Sequence, residues 1–110
     1  MRIEELDTPA LLIDREILES NLQWMQDYAN RNHVALRPHT KTHKMLAIAR
    51  RQMDLGACGI AVAKVGEAEV MAEQGLRDIL IANEIVGQRK LQRIAALRRA
   101  GCTVSFGVDA

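Results

Sequence analysis

Aromatic side chains make up only 3% of this 110-residue chain, one Trp, one Tyr and one Phe, which argues against the stacking platforms that grip single-stranded nucleic acid. Charge of one sign is also lacking. Lys and Arg total 15 against 14 Asp and Glu, so no global basic field exists to capture a polyanion or an anionic membrane. The two cysteines, Cys58 and Cys102, match no metal or redox spacing and read as reduced, half-buried core residues. The opening "MRIEELDTPA" has acids where a secretory signal needs an apolar block, and no apolar run approaches membrane length. Low-complexity segments are missing as well. These absences lead to the expectation of a soluble, cytoplasmic protein with neither nucleic-acid nor membrane partners.

What is present is a rhythm. After an extended lead, in which Pro9 keeps Thr8 out of helix, Asp14 suits an N-cap with Glu16 in the first turn. Leu18, Leu22, Met25 and Ala29, flanked by Ile17, Trp24 and Tyr28, then recur at helical spacing and predict an amphipathic helix to about Arg31. Residues 33–43 break that period, and Pro38 opposes helix, so a first strand is expected there. Helices are predicted from about Met45 to Leu55, Gly66 to Gln74 and Gln88 to Ala100, ending at Gly56, Gly75 and Gly101. Each is followed by a buried-looking strand: "CGIAVA", "DILIA" and "TVSFGV". Such alternation means parallel strands with right-handed crossovers, apolar on both faces as in a covered sheet. The fold class is α/β.

An open doubly wound sheet and a closed barrel share this rhythm. The former calls for a glycine fingerprint after the first strand, and "THKMLA" contains no glycine. A barrel is therefore preferred. Eight strands need about 250 residues. Four βα units in residues 1–110 amount to the amino-terminal part of such a barrel, one partial domain.

"RPHTKTHK", residues 37–44, packs five basic or imidazole side chains into eight positions of a nearly neutral chain. On a strand Arg37, His39, Lys41 and His43 would share one face, with Pro38, Thr40 and Thr42 on the other. Catalytic groups in barrels sit at the carboxyl ends of strands, and Lys41 falls near that end, with His39 and Arg37 layered beneath it. A lysine in a walled site among other cations is pushed toward the neutral amine, the form that attacks a carbonyl to make a Schiff base. Three other readings of the cluster stand beside this one: an idle solvated strand end, a zinc pair from His39 and His43, and a phosphate or nucleic-acid grip.

"LDTPALLIDREILESNL", "RPHTKTHK", "GEAEVMAEQGLRDILIANEIVG" and "VSFGVD" together resemble the amino-terminal half of the D-threonine aldolase family. That family belongs with the alanine-racemase-like barrel enzymes and is close to metal-activated D-serine dehydratases. The resemblance implies that Lys41 carries pyridoxal 5'-phosphate; His39 and Arg37 layered beneath it, and Asn83 at the end of a later strand, are expected in the cofactor site with it. It implies a lyase that cleaves D-β-hydroxy-α-amino acids to glycine and an aldehyde, with a D-amino acid as its small-molecule substrate. A divalent metal of the manganese or zinc kind is also implied, its ligands outside these residues, and a homodimer for the longer protein. Dehydratase-like β-elimination, racemisation and a non-catalytic fragment are the alternatives. Lys64, Asn83 and Asp109 are expected at the carboxyl ends of later strands, on the same rim as Lys41. Glu67 and Glu69 read as residues of a helix start, suited to its positive end, and Met45, Met53, Met71, Trp24 and Tyr28 as packing.

Overall fold

The computed structural model describes residues 2–109. Four helices alternate with three strands: α1 Arg15–Arg31, α2 Leu46–Leu55, β1 Ile60–Val62, α3 Val65–Glu73, β2 Asp78–Glu84, α4 Gln88–Arg99 and β3 Thr103–Gly107. Asp14 caps α1 as expected, its Oδ1 accepting the Ile17 N–H at 3.0 Å. Gly56 closes α2 at φ +118°, a conformation that costs a side-chain-bearing residue more than it costs glycine.

The sheet is parallel throughout and runs in the order β1-β2-β3. Neighbouring strands in chain order, each joined by a right-handed crossover, must put every connecting helix on the same face. The core shows this. Ile60, Val62, Ile79, Ile81 and Val104 form one buried cluster with Ala49 of α2, Ala68 and Met71 of α3, and Ile94 of α4. A doubly wound sheet would place helices on both faces, so the structure has the barrel's winding.

The other face carries Leu80, Thr103 and Ser105, of which the last two are exposed. The strands are therefore sealed on the helix side and only partly covered on the other, short of the two-sided burial predicted from their apolar content. The accessible surface, 7888 Å², exceeds the roughly 6,100 Å² of a compact monomer of this length.

The expected first strand, residues 33–43, is a finding against the sequence reading. It runs alongside β1, with the Cys58 and Ala61 N–H groups donating to Leu36 O at 2.9 Å and Pro38 O at 2.8 Å. Only His39, bridged to Ala61, satisfies a ladder position. Pro38 has no N–H to give to a ladder, and the chain tightens into a 3-10 turn at Thr40–Thr42. Three strands and one proline-interrupted edge segment stand where four strands were predicted.

Two further expectations are corrected. Trp24 and Tyr28 do not fill the core: they stack on each other with centroids 5.5 Å apart on the exposed side of α1, where only Gln26 and Ala29 are buried. Helix α1 is instead held to α2 partly through Arg51 Nε, which donates to Glu19 Oε2 at 2.8 Å. Cys58 is exposed and Cys102 buried, both as free thiols.

Candidate active site at the carboxyl rim

His39, Ala61, Leu80 and Ser105 stand in register across the sheet, one row on its open face. Arg37, two residues earlier on extended chain, shares that face one layer down. Its Nη1 donates to Asp78 Oδ1 at 2.8 Å and to the Asp78 and Ile60 carbonyls at 3.3 and 3.4 Å. Asp78 opens β2, so Arg37 is drawn to the amino-terminal end, away from the rim, where it pins the edge segment to two strands.

Lys41 leaves the strand phase that the alternation predicted. It lies inside the 3-10 turn, and His39 caps this turn by accepting the Lys41 N–H on Nδ1 at 3.2 Å. Thr40 is the residue of this stretch that turns inward. At 1% exposure it is fully buried, and its hydroxyl donates to Ala61 O at 3.2 Å. Anchoring Thr40 inward leaves Lys41 outward: it is exposed, and among the described residues its Nζ makes no hydrogen bond or ion pair. The walls that a dry lysine site requires are not supplied by these residues.

The rest of the rim is built by the strand ends. Lys64 follows β1 as the N-cap of α3 and is exposed. Asn83 near the end of β2 donates from Nδ2 to Ala63 O at 3.4 Å, and its Oδ1 accepts the Glu84 N–H at 3.0 Å. Its amide thus ties the end of β1 to β2, on the stretch of β2 where its register with β3 shifts between Ile81 and Glu84. Asp109 lies past β3 and is exposed. Thr40, Lys44, Lys64, Gly66, Glu67, Val70 and Met71 line a cleft of ≈ 340 Å³ between the lysine turn and α3.

Glu67 and Glu69 do different things, and neither pairs with the other. Glu67 Oε2 accepts the Ala63 N–H at 2.7 Å, and Oε1 lies 3.5 Å from Lys44 Nζ. Burial acts to raise its carboxyl pKa, but the Ala63 N–H and the Lys44 ammonium outweigh it and hold the group below the usual value. Glu69 is held low chiefly by its hydrogen bonds to Arg93 of α4. The expectation of a helix-start residue holds for Glu67, in the first turn of α3, whereas Glu69 lies beyond that turn and ties α3 to α4. Thr40 and Lys44 were missed, since nothing in a basic run distinguishes the side chain that turns inward.

His43 closes the turn from the helix side. Its Nδ1 accepts the Met45 N–H at 3.0 Å, so a neutral ring carries its proton on Nε2, next to the Gln52 amide. Burial pushes the imidazole pKa below 6.5, and the Gln52 side chain opposes that only in part. A group with a lowered folded pKa takes up fewer protons folded than unfolded, so it stabilises fully above 6.5. That contribution is lost as pH falls from 6.5 toward the folded value. Urea denaturation at pH 7.5 and 5.5 should show this loss, and His43→Asn should flatten it. The glutamates act only in the acid range below 4.5.

Residues 13–106 match the family described as alanine racemase, N-terminal domain. The chain belongs to that family. Within the alanine racemase N-terminal family it is similar to D-threonine aldolase of an Arthrobacter species, 47% identical over 107 residues, which are 97% of this chain and 28% of that protein. The crystal structure of D-threonine aldolase from Filomicrobium marinum superposes with a TM-score of 0.94 at 47% identity, covering 98% of this chain and 29% of the other. D-threo-3-hydroxyaspartate dehydratase from Delftia sp. HT23 gives 0.91 at 39% identity, covering 96% and 28%. The chain spans less than a third of the length of these relatives. No helix among the described residues is long and apolar enough to cross a membrane.

Proposed function

We propose that this chain supplies the cofactor lysine and the first barrel strands of a pyridoxal-phosphate-dependent lyase acting on D-β-hydroxy-α-amino acids. The observation that carries the reading is Lys41, a free primary amine on the carboxyl rim of a parallel sheet wound as a barrel. The residues present fit an aldehyde cofactor, which requires one accessible amine at the mouth of the barrel. Lys44 is engaged by Glu67, whereas Lys41 Nζ has no partner among the described residues. When bound, the cofactor supplies an electron sink for the charge left at the substrate Cα.

Lys41 is the anchor. His39 holds the turn from which it emerges, Asn83 fixes the neighbouring strand end, and Arg37 braces the layer below. Among the described residues no three His, Cys, Asp or Glu side chains gather to hold a metal, so no step is assigned to a metal here.

The aldolase reading draws support from the 47% identity to the Arthrobacter D-threonine aldolase, and the Delftia dehydratase at 39% identity supports β-elimination as a second reading. Incubating the whole protein with D-threonine, against the L-isomer as control, separates them. Glycine with acetaldehyde from the D-isomer alone is the expected result. 2-Oxobutanoate without glycine would move the assignment to dehydration, and a racemised amino acid with neither product would move it to racemisation.

A further inference from the structure

Lys44 has a backbone that a lysine adopts only at a cost. Its φ is +50°, in the left-handed region where glycine or asparagine is the cheap choice. Left-handed residues with long side chains persist where the surroundings over-determine them. Here the surroundings do so from both ends. The Lys44 N–H donates to Thr40 O at 2.8 Å, closing the turn around Lys41, while its ammonium reaches the Glu67 carboxylate. Lys44 is largely exposed, but the Glu67 side chain is only 14% exposed.

The same carboxylate accepts the Ala63 N–H just past β1. One partly buried group therefore joins the strand end to the residue that terminates the lysine turn. The second tie between turn and strand is the Thr40 hydroxyl on Ala61 O, and Lys41 sits between the two. With both ties in place the turn is fixed against β1 on either side of the free amine.

We propose that Glu67 is a positioning residue for Lys41, forming with Lys44 a strut that sets where the amine emerges on the rim. This rests on the reading of Lys41 as the cofactor lysine. A plain helix-capping role explains only half of the geometry. The bond to Ala63 N–H needs an acceptor oxygen, which glutamine also has; the pair with Lys44 needs the charge. Glu67→Gln therefore keeps the cap and removes the strut. Lys44→Met removes it from the other side, at an exposed position whose loss does not threaten folding.

The test is made on the whole protein with pyridoxal phosphate as probe, reduced with borohydride and mapped by peptide, beside hydrogen exchange of the Lys44 amide. Wild type is expected to carry the label at Lys41. In Glu67→Gln and in Lys44→Met the share at Lys41 should fall several-fold, with Lys44 exchange faster by roughly two- to fivefold, the scale of one lost, largely exposed ion pair. The double variant should be no worse than either single one, and melting temperatures should stay close to wild type. Unchanged labelling at Lys41 in both variants would overturn the inference, whether or not exchange quickens, and would leave the lysine assignment standing. A wild type that spreads its label evenly over Lys41, Lys44 and Lys64 would instead overturn the lysine assignment and the strut with it.

Discussion

Lys41→Ala is expected to remove covalent capture of pyridoxal phosphate altogether and to lower turnover in the whole protein by roughly 10³-fold or more. No neighbouring amine replaces it. Lys44 is turned into a left-handed bend and paired with Glu67, and Lys64 sits at the head of α3 on the far side of the cleft. Lys41→Arg should lose as much, because the charge is kept while the attacking amine is not. Lys90→Ala, on the exposed surface of α4, should behave as wild type. The absorbance of bound cofactor and steady-state kinetics check all three. Capture that survives in Lys41→Ala would place the anchoring amine elsewhere.

Gly59→Ala is expected to destabilise the fold by about 1–3 kcal/mol, the overpacking cost of a methyl group with nowhere to go. A Cβ there would stand 2.7 Å from the Asp78 carbonyl oxygen and would collide with the Arg37 guanidinium. The carbonyl is backbone of a paired strand and cannot step aside. Moving Arg37 would break the ion pair that fastens the edge segment to β2. Gly75→Ala is the comparison. Nothing lies within 4 Å of its added Cβ, so its cost should be only about 1 kcal/mol, from the positive φ of +92°. Thermal or urea unfolding of the two variants measures the difference. Equal effects would mean that the Arg37–Asp78 layer yields freely.

The periodic parts of this fold were legible in the sequence. The helix around Leu18, Leu22 and Ala29 begins at its Asp14 cap, and the strands fall at "CGIAVA", "DILIA" and "TVSFGV", with β2 running two residues past its predicted end to Glu84, because β-rich runs between glycine-terminated helices admit little else. Residues 33–43 were harder. Alternation cannot register that Pro38 withholds a donor or that a threonine hydroxyl outcompetes strand extension, so the phase of Lys41 was misjudged though its place on the rim was not. The burial of α1 was overread for a related reason. Apolar spacing shows which face is sticky and not what covers it, and Trp24 and Tyr28 stack on each other while both stay exposed. Of the proposed site, Lys41 was singled out from its basic neighbourhood and family wording. The strut was not, because Lys44 and Glu67 lie 23 positions apart and meet only through the βα crossover.

The most direct test of the account is to incubate the whole protein with pyridoxal phosphate, reduce it with borohydride and locate the modified lysine by peptide mapping. One dominant modified peptide is expected, that of the "RPHTKTHK" turn, with the label on Lys41. Label concentrated on any other lysine would contradict it.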